Sequence, residues 1–210
     1  MQDINGISEK RKIGIMGGTF NPIHIGHLII AEQAYEQYGL DKVLFLPANE
    51  PPHKRQESIE SDQNRVEMVK LAIEANPHFE LSLVEMERDS ISYTVDTLKQ
   101  LTREYPHTEF YFIVGGDSIA SIEQWREPGT IMKLCHLLAC VRNDMDDEKL
   151  TMQIAYLNDK YQANVHKLNI PMMDISSTSI RNRTKNHQSN RYMVPDKVLS
   201  FISNKQLYRK

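Results

Sequence analysis

The sequence predicts an α/β fold, an open doubly wound parallel sheet of the Rossmann-like type, formed by one domain over residues 1–210. Two observations predict it. Short apolar runs alternate along the chain with stretches whose apolar residues recur at helical spacing, a pattern typical of β-α-β units. The composition, 40% hydrophobic and 25% charged residues, is typical of a folded domain rather than a disordered chain. A small C-terminal helical part is expected at about residues 176–210.

The first elements are a strand, a helix and a second strand. The apolar run over residues 12–16 predicts the first strand, which ends at a pair of glycines. Apolar residues at helical spacing from Leu28 to Tyr38 predict the first helix, and Gly39 follows where a helix C-cap is expected. The second strand is predicted over residues 43–46.

The middle of the chain continues this alternation. Asp62 is expected to cap a second helix that ends at Pro77, and residues 79–84 are expected to form a strand. A third helix is predicted from Thr94 to Tyr105. The apolar stripe predicted for the second helix consists of Val66, Val69 and Ile73.

The last elements complete the sheet. Residues 110–114 and 137–141 are almost wholly apolar runs, which are typical of central parallel strands. The acidic residues within 144–148 favour the positive N-terminal end of a following helix, so we interpret them as a helix start and not as a metal site. A strand near Val165 and helices after Ser177 and Pro195 are predicted to end the chain.

Charge and cysteine content exclude several kinds of protein. The net charge of -3 gives no overall attraction to nucleic acid or to an anionic membrane surface. Cys135 and Cys140 match no zinc or redox motif, and we expect buried, reduced thiols. The apolar stretch near the N-terminus is too short for a signal peptide or a membrane span. We therefore expect a cytoplasmic protein; its oligomeric state is open, and a homo-oligomer is compatible with the sequence.

A histidine pair follows the first strand. The residues are Gly17, Gly18, Thr19, Phe20, Asn21 and Pro22, and then His24, Ile25, Gly26 and His27. The loop is neither a Walker A motif nor a GxGxxG motif. Glycines at a strand end let a phosphate or sugar approach the backbone, and the next helix N-terminus favours an anion. His24 and His27 are expected to donate to the same phosphate, while Gly26 leaves room for a flat base.

Two other interpretations of the histidines were weighed. Histidines at this spacing also serve as helix caps or satisfied polar packing, but the preceding glycine pair favours phosphate binding. Metal binding is disfavoured because no third carboxylate or histidine stands nearby at ligand spacing.

A hydroxyl cluster near the C-terminus forms a second motif, Ile175-Ser176-Ser177-Thr178-Ser179-Ile180-Arg181. It is expected to cap a helix and to place a guanidinium one turn inside that helix. Hydroxyls, helix-start amides and an arginine suit a polyphosphate, although a simple serine N-cap explains the cluster equally well by itself. A polyphosphate near Arg181, together with a solvated helix face, also explains the basic residues within 181–191.

The two motifs together resemble the HxGH nucleotidyltransferase superfamily, which pairs such an opening with an ISSTxIR closing motif. Within it, the intervening segments resemble the bacterial nicotinate-nucleotide adenylyltransferases over residues 13–208. These segments are Pro51-Pro52-His53-Lys54, Ser92-Tyr93-Thr94, Gly115-Gly116-Asp117 and Trp125. The chain departs from the family at Asn21, where aspartate is frequent, and at 142–144, where an Arg-Pro-Gly turn is expected.

The resemblance implies transfer of AMP from ATP to nicotinate mononucleotide, giving deamido-NAD and pyrophosphate, with Mg²⁺ carried by ATP. The implied catalytic residues are His24, His27 and Arg181. The implied ATP-binding residues are Gly17, Gly18, Thr19, Phe20, Gly26, Gly115, Asp117, Ser177 and Thr178. The implied acceptor-binding residues are Lys54, Thr94, Trp125 and Arg142. From the residues alone, Trp125 could equally be a core residue, Lys54 a solvated loop residue and Asp117 a helix cap.

The chemistry implied by the resemblance needs no general base. The second pKa of a phosphomonoester is about 6, so the acceptor phosphate is largely dianionic near neutrality and is itself the nucleophile. The histidines are then expected to stabilise charge rather than to move protons.

Three alternatives remain from the sequence. One is a phosphopantetheine adenylyltransferase, a shorter family that lacks the Pro-Pro-His-Lys loop and the Ser-Tyr-Thr helix start. Another is the same activity with nicotinamide mononucleotide. The third is a nucleotide-sensing or RNA-binding module, because class I tRNA synthetases share the His-Ile-Gly-His signature; no KMSKS-like loop accompanies it here.

Overall fold

The structure of the protein, a computed structural model, describes residues 10–49, 59–88, 92–140 and 147–209. The strands are β1 (Arg11–Gly18), β2 (Lys42–Pro47), β3 (Phe79–Leu81), β4 (Thr108–Gly115), β5 (His136–Cys140) and β6 (Val165–Leu168). The helices are α1 (Ile25–Tyr38), α2 (Asp62–Ile73), α3 (Thr94–Glu104), α4 (Gly116–Ser121), α5 (Pro128–Leu134), α6 (Asp147–Tyr161), α7 (Ser177–Lys185) and α8 (Asp196–Asn204). Within these ranges, no helix has the length and apolar character needed to cross a membrane.

The strands form one parallel six-stranded sheet in the order β3-β2-β1-β4-β5-β6. β1 therefore lies between β2 and β4, at the point where the strand order reverses. Ligands of such sheets bind beyond the carboxyl ends of the strands at this switch point. The predicted doubly wound parallel sheet is confirmed.

The sheet is buried on both faces, which explains its near-continuous apolar strands. Successive side chains of a strand point to opposite faces. In β4, Phe110, Phe112 and Val114 pack into one apolar cluster, while Tyr111 and Ile113 pack into the other. The sheet is thus the middle layer of three.

The C-terminal helices extend the layer that α1 and α2 form. Val198 and Ile202 of α8 belong to the same buried cluster as Ile30 of α1 and Met68 of α2. A salt bridge from Lys197 of α8 to the residue directly after α2 adds to this contact. Helix α8 therefore packs on the same side of the sheet as α1 and α2.

The second helix is capped differently from the prediction. Its N-cap is Ser61 and not Asp62, because the Ser61 hydroxyl accepts the backbone N–H of Asn64 at 3.3 Å. Its buried face also differs, since Arg65 and Met68 are buried there and Val66 is only half-buried.

Other boundaries also differ. The strand predicted over 79–84 ends at Leu81, because the chain turns there and Met86 donates its N–H to the Leu83 carbonyl at 2.8 Å. Helices α4 and α5 were not predicted, since six and seven residues are too few for a clear apolar period. The predicted C-cap at Gly39 is confirmed, with a left-handed φ of 57°.

Candidate active site

His24 and His27 lie together at the start of α1, directly beyond β1. His24 is the N-cap, and the two rings stack with centroids 3.7 Å apart and planes inclined by 28°. The His24 backbone N–H donates to Nδ1 of His27 at 3.2 Å. Because Nδ1 of His27 accepts this bond, the proton of the neutral ring is on Nε2, which makes Nε2 a hydrogen-bond donor.

The two histidines differ in exposure. His24 is 1% exposed, whereas His27 is half-buried and has its ring edge-on to Phe20 with centroids 5.1 Å apart. A Cβ added at Gly26 would lie 3.0 Å from Nδ1 of His24. The glycine therefore leaves room for the His24 ring. The room for a flat base at Gly26 stays a prediction.

The chain from the end of β1 toward α1 begins with the glycine pair and the two residues after it. Gly17 is exposed, Gly18 and Thr19 are half-buried, and Phe20 is buried at 2% exposure with a positive φ of 48°. We name residues 17–22 the ATP loop, the name reflecting the ligand that the sequence predicts for it.

The closing motif reaches the same loop from the other end of the chain. Ser176 caps α7, and the Ser177 hydroxyl donates to the Pro22 carbonyl at 2.8 Å. Arg181 donates through Nη1 to the Asn21 carbonyl at 2.9 Å, and its Nη2 donates to the Thr178 hydroxyl at 3.3 Å. The structure thus brings the opening and closing motifs together.

Asn21, where the family often has aspartate, is a buried junction of this loop. Its side-chain oxygen accepts the Tyr208 hydroxyl at 2.9 Å and the Glu60 backbone N–H at 3.2 Å. Burial raises the pKa of Tyr208, so the phenol stays a neutral donor. The Asn21 amide thus provides an oxygen acceptor, as an aspartate side chain also would.

Thr94 and Trp125, predicted for the acceptor, line one pocket of about 190 Å³ at the start of α3. We name it the acceptor pocket; its lining is Ser92, Tyr93, Thr94, Gln124, Trp125, Arg126 and Ile131. The Trp125 ring is half-buried and edge-on to Phe112 of β4, with centroids 6.4 Å apart. It is a pocket wall and not a buried core residue.

Gly115 is the last residue of β4, the strand next to β1 in the sheet, and Asp117 lies two residues beyond it. Gly115 is the N-cap of α4, and Asp117 is an exposed residue of its first turn. Lys54 and Arg142, the other predicted acceptor residues, lie outside the described residues.

Two arginines of the site region were not predicted. Arg65 of α2 is fully buried and donates to the Thr19 carbonyl of the ATP loop at 2.7 Å. Arg126 lines the acceptor pocket, with its guanidinium 4.9 Å from the centre of the Tyr93 ring and 3.4 Å from the Asp96 carboxylate. One feature of the sequence could have indicated that Arg65 is buried: it is a charged residue at helical spacing among the apolar residues of α2.

Comparison with known families gives a match over most of the chain. The family model described as cytidylyltransferase-like matches residues 15–183, which include both histidines and Arg181. A curated protein of Lachnoclostridium phytofermentans named "Probable nicotinate-nucleotide adenylyltransferase" is 47% identical, over 91% of this chain and 96% of its own. The protein of the same name in Desulfitobacterium hafniense (strain Y51) is 41% identical, over 95% and 96%.

Solved structures share the fold. The nicotinic acid mononucleotide adenylyltransferase of Plasmodium falciparum, complexed with NaAD, aligns with a TM-score of 0.75 over 94% of this chain and 97% of that chain. Its complex with APC gives the same TM-score. The sequence identity is 20%, so this likeness concerns the architecture.

Proposed function

The chain belongs to the nicotinate-nucleotide adenylyltransferase family, and we infer that it transfers AMP from ATP to nicotinate mononucleotide, yielding deamido-NAD and pyrophosphate. It is a nucleotidyltransferase of NAD biosynthesis. One observation of this chain's own structure supports the activity most: residues from its two ends, His27 and Arg181, meet consecutive residues of the ATP loop, Phe20 and Asn21.

We propose that His27 donates from Nε2 to the α-phosphate of ATP. The backbone bond to Nδ1 sets this donor, and the stacked His24 ring holds its orientation. As AMP is transferred, negative charge grows on the oxygens around the α-phosphorus, and a prepositioned donor stabilises it most in the transition state. His24, at 1% exposure, acts mainly by orienting His27.

Arg181, Ser177 and Thr178 are proposed to hold the β- and γ-phosphates. The three side chains come from the first turns of α7, whose N-terminal end favours an anion. Ser177 and Arg181 already contact the ATP loop, so the pyrophosphate leaving group would be bound next to the α-phosphate. Charge on the departing pyrophosphate is then neutralised where it forms.

The acceptor pocket is proposed to take the pyridine ring of nicotinate mononucleotide. The Trp125 ring offers an aromatic surface for it, while Thr94 at the first position of α3 offers a hydroxyl and a helix N-terminus to the ring carboxylate. Arg126 adds a cation at the same pocket. The acceptor phosphate, already dianionic, needs no base to attack the α-phosphorus.

Mg²⁺ is proposed to arrive with ATP. Among the described residues, no group of three or more His, Cys, Asp or Glu side chains is placed to hold a metal ion. Mg²⁺ commonly keeps several waters and binds substrate phosphates, a mode that needs few protein ligands.

We also propose a reducing, cytoplasmic location for the protein. Both cysteines are buried free thiols, which supports this proposal.

The function is tested by measuring pyrophosphate release from ATP with one of three acceptors: nicotinate mononucleotide, its amide, or phosphopantetheine. We expect the fastest release with nicotinate mononucleotide and a product with the mass of deamido-NAD. Release no faster than with ATP alone, or faster with phosphopantetheine, would contradict the proposal.

A further inference from the structure

Arg65 is an arginine with 0% exposure on the buried face of α2. Its Nη1 donates to the Thr19 carbonyl at 2.7 Å, and its Nη2 donates to the Asn49 carbonyl at 3.4 Å and to the Asp62 carboxylate. The Asp62 side chain is 55% exposed, so this ion pair is not enclosed in the core. The two carbonyls are the partners that explain why the guanidinium lies inside the protein.

The two carbonyls belong to the two halves of the site. Thr19 is part of the ATP loop. Asn49 follows β2 and donates its backbone N–H to the Ser92 hydroxyl at 3.2 Å and its side-chain amide to the Arg88 carbonyl at 2.7 Å. Because Ser92 lines the acceptor pocket, a continuous set of hydrogen bonds runs from the ATP loop through Arg65 and Asn49 to that pocket.

Packing alone does not call for an arginine at this position. Its neighbours on the same face of α2, Met68 and Val69, are apolar and 0% exposed. A methionine at position 65 would continue this face without burying a charge, and buried charges cost free energy unless they are well paired. The arginine therefore serves a purpose that an apolar residue cannot, which is to bond both carbonyls at once.

We propose that Arg65 is a positioning residue that fixes the ATP loop relative to the acceptor pocket, so that the acceptor phosphate lies in line with the α-phosphate. The proposal rests on the proposed adenylyl transfer. Without Arg65, the ATP loop and the acceptor pocket each keep their own binding groups. The placement of the ATP loop relative to the acceptor pocket depends on Arg65. Misplacement of reacting groups by about 1 Å can lower a rate by about 100-fold.

The test compares Arg65→Met with Arg103→Met. Arg103 is an exposed arginine in the last turn of α3, and it donates to the Lys99 carbonyl of its own helix at 3.1 Å. For each variant, kcat, the dissociation constant of each substrate alone and the melting temperature are measured. Arg65→Lys is included because lysine keeps the charge but cannot bond both carbonyls in the same geometry.

We expect Arg65→Met to lower kcat by about 100-fold while each substrate alone binds nearly as in the wild type. Arg65→Lys should be intermediate in kcat, and Arg103→Met should keep the wild-type kcat. A wild-type kcat in folded Arg65→Met would overturn the role of Arg65. A loss of activity at fixed substrate concentrations that weaker binding of one substrate fully explains would overturn it as well. If Arg65→Met does not fold, the same criteria apply to Arg65→Lys. If the wild-type protein forms no deamido-NAD, the proposed function is wrong, and this outcome is distinct from a failure of the role of Arg65.

Discussion

The His24 and His27 rings stack face to face with centroids 3.7 Å apart, and the backbone N–H of the first donates to Nδ1 of the second. The stack leaves the first ring covered and the second half-buried. This geometry supports our proposal that His27 contacts ATP and that His24 holds the orientation of the His27 ring.

Replacing His27 by alanine removes the donor that we assign to the α-phosphate. We expect kcat of His27→Ala to fall by about 100-fold or more, while the dissociation constant for ATP changes little, because the lost contact strengthens only as AMP is transferred. Steady-state kinetics and ATP titration measure the two quantities, with the exposed His107→Ala as control. Full activity in His27→Ala would refute the assignment.

Gly26→Ala tests whether the placement of His24 matters for the reaction. The new Cβ would lie 3.0 Å from Nδ1 of His24, so the His24 ring has to move by a few tenths of an ångström from its place against His27. We expect kcat to fall by up to about tenfold in a folded protein. Gly129→Ala is the matched control, since its Cβ would meet the Tyr161 ring at an ordinary 3.6 Å. Equal kcat in both variants would show that the stack is dispensable.

Trp125 gives a built-in probe of the acceptor pocket, because it is the one tryptophan of the chain. Nicotinate mononucleotide alone should change the tryptophan emission as its ring comes against the indole. Trp125→Ala should raise KM for this acceptor by about tenfold or more and leave KM for ATP nearly unchanged. An emission that responds to ATP but not to the acceptor would place the pyridine ring elsewhere.

We expect a histidine pair outside these motifs, His136 and His166, to make the stability depend on pH. Nδ1 of His136 lies 3.4 Å from Nε2 of His166, and the His136 ring stacks on Tyr111. Burial lowers the pKa of both histidines; for His136 the neighbouring His166 and Lys12 lower it further, while Glu109 opposes them. As the pH falls, the two histidines therefore take up protons in the unfolded chain before they do so in the folded protein. The free energy of unfolding should decrease as pH falls below about 6.5.

Chemical denaturation between about pH 7 and pH 5 measures this effect. In the double variant His136→Gln, His166→Gln the decrease should be smaller than in the wild type, whereas exposed His107→Gln should leave it unchanged. An identical decrease in the double variant and the wild type would assign the acid sensitivity to other groups.

The parts of the site that are local in sequence could be predicted from it. The glycine pair with His24 and His27, and the serines with Arg181, are contiguous stretches beside a strand end and a helix start. The resemblance, and not the order of strands and helices, implied that the two stretches act on one nucleotide. In the structure they meet where Arg181 donates to the Asn21 carbonyl.

The contacts that join distant segments could not be predicted. Arg65 acquires its role from the Thr19 and Asn49 carbonyls, which only the folded sheet brings together. A Cβ at position 26 would lie 3.0 Å from the His24 ring, and no sequence pattern encodes that distance. The short helices α4 and α5 were missed because their periods are too brief to detect.

The most direct test is a crystal structure of the protein with a non-hydrolysable ATP analogue. We predict that Nε2 of His27 lies within hydrogen-bonding distance of an α-phosphate oxygen, and that the Arg181 guanidinium contacts the β- or γ-phosphate of the same molecule. A bound nucleotide whose phosphates touch only one of these two side chains, or neither, would contradict the mechanism.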